Sequence, residues 1–435
     1  MSLIKRRRFH IQPQYNKSLT ANKAVEEATV PDVLYFYLST HVGKPAKPVV
    51  AQGDNVKIGT LIAKAEGEVS SNVHSSVSGE VLSIENKDYF GKDSKCIVIK
   101  NNHLDEAEAP LYDINTSPDA DETVRIIREA GISGMGGAMF PTDVKLSGDE
   151  ETPIETLIVN GAECEPYANS DYRLMIENSE EIAEGIKIVT NIFPLKHIFV
   201  AIEDDARACI TAMQKSTDGI SGARVVALKT AYPQGAEQVL IKQITGKEIP
   251  SGSQPPAIGT LVMNVGTLFS IYQAVALGKP VTERVVTVSG KKLKNPRNLR
   301  TRLGTPVDSL LHDCGGVDET PRAVLHGGPM MGKAITSGDI SVSAGTTAIT
   351  VLFGEDNKTD EMACIRCSEC LFVCPVKLQP VLIHNARLLK NYDKANDLGA
   401  LDCIQCGNCT YICPSKIDLL ASIRTAVSAI NEQEK

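Results

Sequence analysis

The sequence predicts a multidomain α/β chain that closes on a small α-helical, cysteine-rich unit. Three observations predict it. Eight cysteines between Cys364 and Cys413 fall into two copies of one spacing pattern. Apolar strands and amphipathic helices alternate from about residue 119 to 282, as in a parallel sheet wrapped by helices. Between residues 31 and 110, short strands are broken by turn glycines.

The totals fit this outline. A chain of 435 residues has room for about three domains. Its 42% hydrophobic and 23% charged content is that of a globular protein with a sizeable core. A net charge of −8 argues against a nucleic-acid partner. No apolar run approaches the ~18 residues of a membrane span. Lys5-Arg6-Arg7-Arg8 has no apolar core behind it and reads as a solvated basic tail rather than a signal peptide.

In chain order, residues 1–30 lack periodicity and read as an extension packed on something else. Residues 31–110 alternate in the manner of strands, for example Ile58-Gly59-Thr60-Leu61-Ile62-Ala63 and Val73 to Val81. This stretch resembles the barrel-sandwich fold of biotinyl and lipoyl carrier domains. The hairpin tip where carriers present a lysine reads Glu66-Gly67-Glu68-Val69-Ser70, so the resemblance implies the fold without the swinging arm. His74 reads as a packed or surface residue. A proline-bearing linker (105–118) leads to a helix opening near Asp119 and ending at Gly131.

Residues 119–282 form the doubly wound α/β unit. Four glycines, Gly131, Gly134, Gly136 and Gly137, fall within seven residues. Such a loop lets backbone approach a ligand closely and can aim successive N–H groups at a phosphate or an aromatic ring. Lys145 adds a cation. The buried strand Thr156–Val159 then delivers Asn160-Gly161-Ala162-Glu163-Cys164-Glu165-Pro166 at its C-terminal end, where open α/β sheets bind ligands. Strands at Ile198–Ile202 and Ala223–Leu228 follow, separated by helical segments near Ser179–Val189 and Ala206–Lys215. Two further loops read Tyr232-Pro233-Gln234-Gly235-Ala236-Glu237 and Met263-Asn264-Val265-Gly266-Thr267. Residues 283–355 return to β, with Val285–Gly290 as a strand and a short helix from Asp308 to His312. A polar hinge at 354–363 opens the last unit, 356–435, in which Val381–Leu389 and Ile417–Ile430 read as helices.

The cysteine runs are C-x-x-C-x-x-C-x-x-x-C-P, twice. This is the two-cluster iron–sulfur spacing, in which the fourth cysteine of each run serves the other cube. Cys364, Cys367, Cys370 and Cys413 are therefore assigned to one [4Fe–4S] cluster, and Cys374, Cys403, Cys406 and Cys409 to the other. Zinc sites pair C-x-x-C units over a longer gap. Free thiols and cluster ligands fit a reducing compartment. Cys96, Cys164, Cys209 and Cys314 remain, scattered, and read as small buried hydrophobes.

Taken together, the four loops, Gly327-Gly328-Pro329-Met330-Met331-Gly332 and the doubled cysteine motif resemble the flavin- and NADH-binding subunit of respiratory complex I, and more closely the RnfC subunit of the Rnf complex. Two encoded clusters rather than one favour the latter. The resemblance runs from about residue 40 to the end. It implies a Rossmann-like FMN/NADH domain, a soluble-ligand-binding β-grasp domain after it, and an α-helical two-[4Fe–4S] ferredoxin-like domain. It also implies an FMN site on Gly134, Gly136, Gly137, Lys145, Asn160, Glu163, Cys164, Gly235, Asn264 and Thr267. Ala162 and Ala236 stand where the complex I relatives carry acids and offer only backbone. NADH would lie near Phe140, Glu165, Tyr232 and Glu237, the aromatics stacking and the carboxylates accepting hydrogen bonds. Met139, in place of the family's usual glycine, is expected to crowd that pocket.

The function implied is electron transfer among NADH, FMN and two clusters in an Rnf-type NADH:ferredoxin oxidoreductase that translocates ions. Flavin bridges the two-electron hydride and the one-electron clusters, and no side-chain acid or base is called for. Implied partners are other Rnf subunits, membrane-embedded and iron–sulfur, with ferredoxin indirectly. The implied location is peripheral, on the cytoplasmic face of the cell membrane. Two other readings stay open: a soluble reductase of this type feeding a proline or cobalamin reductase, and an electron relay without catalysis.

Overall fold

The computed structural model describes residues 9–147, 152–317, 320–354 and 360–433. The basic run Lys5–Arg8 and residues 355–359 of the expected hinge lie outside them.

Two small sheets form the first unit. One orders the strands Val33–Tyr37, Asp93–Asn101, Gly79–Asp88 and Asn55–Val56; the other orders Lys47–Pro48, Leu61–Lys64 and Val73–His74. Their alternating inward residues, including Leu34, Phe36, Ile62, Val81, Ile97 and Ile99, make one buried core. The tip that carriers use for a modified lysine is tied down. Gly67 O accepts from Arg128 Nη2 at 2.9 Å, and Val69 O from Lys44 N at 3.0 Å. Arg128 also pairs with the buried Asp143 at 2.9 Å, so the tip is stapled to the next unit. His74 is buried, and its Nδ1 has no hydrogen-bond partner among the described residues.

The second unit is built on four parallel strands in the spatial order Ala223–Leu228, His197–Glu203, Thr156–Gly161, Thr260–Asn264. The apolar runs of the last three are buried on both faces, as helix-covered parallel sheets require, while the edge strand Ala223–Leu228 is only partly covered. Helices Ala120–Glu129, Ser179–Ile192 and Val265–Leu277 cover one face, and Glu237–Thr245 the other. The Asp119 side chain caps the first helix, accepting from Glu122 N at 2.9 Å. From the Thr156 strand the chain builds outward on one side and later returns to place the Thr260 strand on the other. That reversal opens a crevice beyond Gly161 and Asn264.

Sequence reading placed only a loop at Met263–Thr267. The structure has a strand ending at Asn264 and a helix starting at Val265. Both are apolar nearly all round and mostly buried, so neither shows the one-sided periodicity by which elements are recognised. Helix Val265–Leu277 is seated by Gly185, where an added Cβ would stand 2.1 Å from Leu268 O. Gly185→Ala is therefore expected to force two helices apart and destabilise the protein by roughly 2–3 kcal/mol despite alanine's better helix propensity. A thermal midpoint equal to wild type would refute this.

The third unit is a six-stranded mixed sheet in which Glu283–Ser289 pairs antiparallel with Arg297–Arg302 and parallel with Ala348–Leu352. Its edge strand, Val25–Glu27, comes from the N-terminal segment and runs parallel to Arg297–Arg302. Residues 9–29 thus form a strap. Phe9 N donates to Phe372 O, Ile11 pairs with Tyr232, Tyr15 O accepts from Tyr167 N, and Asn298 Nδ2 donates to Thr20 O. Short helices make the last unit. Leu378, Ile383, Leu419, Ile423, Ala426 and Ile430 pack with Cys370, Cys374 and Cys409. The apolar stripe of helix Leu419–Gln433 is thus used as core.

Candidate functional site

Four loops meet at the crevice. Gly134 N donates to Phe140 O at 2.8 Å and folds the glycine loop back on itself, leaving Gly136, Gly137 and Ala138 exposed. Gly137 has φ +111, which favours glycine, and nothing lies within 4 Å of where its Cβ would stand. At Gly136 a Cβ would meet the Asn264 side chain at 3.4 Å, so a side chain there would enter the crevice. Asn160 closes the second loop, donating to Gly235 O at 2.9 Å and accepting from Ala162 N at 3.1 Å. Gly235 N in turn donates to Cys164 Sγ at 3.3 Å, and a Cβ at Gly235 would lie 2.2 Å from Ala162 O. Ala236 sits at the N-cap of helix Glu237–Thr245. Asn264 caps helix Val265–Leu277 through Gly266 N at 2.8 Å, and Thr267 Oγ1 accepts from Met135 N at 3.0 Å. Gly136, Asn160, Cys164, Gly235, Asn264 and Thr267, expected to hold FMN, are thus linked to one another across these loops, with Lys145 paired to Glu237 at 2.8 Å, whereas the Glu163 carboxylate is turned to helix Ser170–Glu177.

Behind the loops lies a buried bracket that sequence reading did not find. Arg284, from the third unit, donates to Met135 O at 2.8 Å and to Ala344 O, and faces Asp171 at 3.9 Å. Asp171 accepts from Asn264 Nδ2 at 2.6 Å. Glu163 accepts from Ser170 Oγ, Asp171 N and Tyr172 N, so its carboxylate caps helix Ser170–Glu177, while Lys17 Nζ donates to its backbone carbonyl. Burial, and then the charge of Glu163, push the Asp171 carboxyl up to about 7; Arg284 and Asn264 oppose this. Glu163 and Asn264 stand in loops the sequence singled out, but Arg284 and Asp171 lie far apart in sequence and belong to no motif. The one available signal was Arg284 set directly before the apolar pair Val285-Val286 in a strand.

The expected nucleotide residues divide. Phe140 is half-exposed at the loop, and Glu237 is at the rim. Tyr232 offers no open stacking face: it is 1% exposed, and its hydroxyl donates to Cys406 O at 2.8 Å. Glu165 accepts from the amides of Met330 and Met331 at 2.6 and 3.1 Å. Burial pushes its carboxyl up to about 7, against those two bonds. Met139 does not crowd the crevice, because its side chain is buried against Ser343 and Gly345.

Glu203, 3% exposed at the end of its strand, also has its carboxyl pushed up to about 7 by burial. The usual glutamate value is about 4.3. The folded state thus holds the proton more tightly, and this residue's contribution, fully present below about pH 4.3, is lost as pH rises through about 7. Glu203→Gln should match wild type in urea unfolding at pH 4 and gain about 2–4 kcal/mol over it at pH 8. An equal difference at both pH values would refute the assignment.

None of the twelve cysteines is joined to another by a disulfide. In the last unit several of the cysteines lie close enough to affect one another electrostatically. The charges of Cys367 and Cys413 bear on Cys370, that of Cys403 on Cys374, and those of Cys406, Cys403 and Cys374 on Cys409. Burial is the larger cause and pushes these thiols up, Cys406 to about 12. Such sulfurs become thiolates when iron supplies the compensating charge. Among the described residues no three His, Cys, Asp or Glu side chains converge as a single-ion site.

A family model for the Nuo51 FMN-binding domain matches residues 127–273, and one for the RnfC barrel sandwich hybrid domain matches 8–104. An SLBB domain matches 285–334 and a 4Fe-4S dicluster domain 356–414. The C subunit of the proton-translocating ferredoxin:NAD(+) oxidoreductase complex of Clostridium ljungdahlii is 42% identical over 88% of this chain and 84% of its own length. The Na(+)-translocating counterpart of Acetobacterium woodii is 38% identical over 98% and 97%. The chain belongs to the RnfC family. It is thus a mixed α/β multidomain subunit with barrel-sandwich, FMN-binding, SLBB and dicluster units. The C subunit of the ion-translocating oxidoreductase complex of Rhodobacter capsulatus is 38% identical over 87% of this chain and 74% of its own. Among solved structures, an NAD+-reducing [NiFe]-hydrogenase in the H2-reduced state covers 74% of this chain and 64% of its own at TM-score 0.53 and 17% identity, a likeness of fold. In this family frame the crevice fits FMN: exposed glycine backbone, two asparagines and a lysine surround an opening that a Cβ at Gly136 would invade. Among the described residues no helix is long and apolar enough to cross a membrane.

Proposed function

We propose that this chain is the NADH-oxidising, NAD-reducing flavin and iron–sulfur subunit of an Rnf-type complex that couples ferredoxin:NAD electron transfer to ion translocation. One observation carries the reading: the loops of the flavin crevice and the second cysteine run touch directly, through the Tyr232 hydroxyl and Cys406 O. FMN, when bound, exchanges a hydride for single electrons, and the clusters carry single electrons. The glycine loop, Asn160 and Asn264 hold and orient the flavin, and Lys145 supplies positive charge beside it. Phe140 and Glu237 receive the nicotinamide nucleotide at the rim. The chain divides into units at 31–110, 119–282, 283–355 and 356–435, the second Rossmann-like by its strand order and the third β-grasp. Cys364, Cys367, Cys370 and Cys413 hold one cube, Cys374, Cys403, Cys406 and Cys409 the other.

With Cys364 exposed, the first set faces outward, toward the complex's other iron–sulfur subunits and, through them, ferredoxin. Attachment is peripheral, to membrane-embedded subunits on the cytoplasmic face. Anaerobically purified protein should contain one FMN and iron and sulfide near eight each, about two cubes' worth, and NADH should bleach the flavin. A flavin that stays oxidised under NADH would overturn the reading.

A further inference from the structure

The second cysteine run is seated by a three-way joint. Tyr232 packs among Ile11, Val373, Cys406, Cys164 and Met330. Its backbone is braced by the strap, with Ile11 N to Tyr232 O at 2.8 Å and Tyr232 N to Ile11 O at 2.9 Å. Next to Cys406, Gly407 lies under the Met330 turn: at φ +78, its Cβ would stand 3.1 Å from Met330 O. That turn is held by Glu165 through the amides of Met330 and Met331. The fit is close at Gly328 too, where a Cβ would lie 2.1 Å from Glu165 Cγ. Two residues of the flavin unit, Tyr232 and Glu165, therefore set where Cys406 and Gly407 sit, one directly and one through the third unit.

We propose that Tyr232 and Glu165 are positioning residues for internal electron transfer: together they dock the Cys403–Cys409 run on the crevice and fix the separation between bound FMN and the cube that this run holds. The inference rests on the functional reading above. A phenol donating to a ligand's own carbonyl is suited to the task, because the bond constrains the backbone that carries Cys406 and leaves its sulfur free for iron. The Glu165-held turn restrains the next residue from the opposite side, so the run cannot pivot about the single Tyr232 bond.

Tyr232→Phe removes one oxygen and keeps the ring packing. Glu165→Ala attacks the same joint from the other side. Full-length, anaerobically purified holoprotein of each is compared with wild type by stopped-flow absorbance at the flavin and cluster bands and by amide exchange over residues 404–408. Both variants are expected to keep wild-type FMN and iron content, the KM for NADH and the flavin bleaching rate. Cluster bleaching should slow by roughly tenfold, and exchange over 404–408 should speed up. Wild-type cluster bleaching and wild-type exchange in both variants would overturn the proposal. A raised KM with normal cluster bleaching would also overturn it and return the two residues to the nucleotide site. If NADH fails to bleach the wild-type flavin, the functional reading falls, and exchange over 404–408 still decides whether the joint exists.

Discussion

Cys374→Ala is expected to strip iron from the cube assigned to the other cysteine run and leave the cube of its own run in place. Cys374 belongs to the first run in sequence. In the assignment proposed above it joins Cys403, Cys406 and Cys409, and it is near enough to Cys403 and Cys409 for their charges to interact, as Cys367 and Cys413 are to Cys370. It is 7% exposed, with Leu378 N donating to its sulfur at 3.3 Å, so water has little room to take the vacated iron corner. Iron and sulfide should fall from about eight each to about four, with FMN content unchanged. Cys413→Ala should remove the opposite cube, so the two variants should retain different paramagnetic signals on reduction. Identical residual signals would sink the crossed assignment. The helical unit should also lose stability steeply in both, since ligand loss removes folding free energy together with the metal.

Arg284→Met should be the most damaging substitution remote from the cysteines. It leaves Asp171 buried without its cation and takes donors from Met135 O and Ala344 O. Loss of one partner from a buried pair costs about 3–5 kcal/mol. Met135 lies in the glycine loop, and Asp171 holds Asn264, so the opening for FMN loses its fixed shape. Flavin affinity should drop by about tenfold or more. Urea unfolding and flavin fluorescence titration read the two effects separately. Adding Asp171→Leu to Arg284→Met should recover part of the stability, because no charge is then stranded, without recovering flavin affinity. Wild-type flavin affinity in Arg284→Met would show that the bracket does not shape the crevice.

These two substitutions also mark what the sequence made legible. The iron sites are written locally: fixed spacing forces neighbouring thiols together, and the doubling names the partner run. The α/β unit was legible because strands such as Ile198–Ile202 and caps such as Asp119 carry their signals within a few residues. Arg284 and Asp171 had no such signature. Their meaning lies in a contact across 113 positions, on a strand of one unit and a helix of another. Tyr232 was misjudged for the same reason. A tyrosine in a ligand-side loop reads as an open stacking face until the last unit of the chain is folded over it. Glu165, expected to meet a ribose, meets two backbone amides from a turn that begins more than 160 residues later.

The strap carries a consequence for biogenesis. The ribosome delivers residues 9–29 first, yet Phe9 bonds to Phe372 and Val25–Glu27 to Arg297–Arg302. Tyr15 and Ile11 can meet Tyr167 and Tyr232 earlier, but the contacts of Val25–Glu27 and Phe9 must wait until residues 297–302 and Phe372 have emerged. Prosthetic groups can be inserted during that interval, before the latch shuts. A nascent chain stalled ahead of Phe372 should still expose the backbone at Phe9 to protease, whereas the released, loaded protein should protect it.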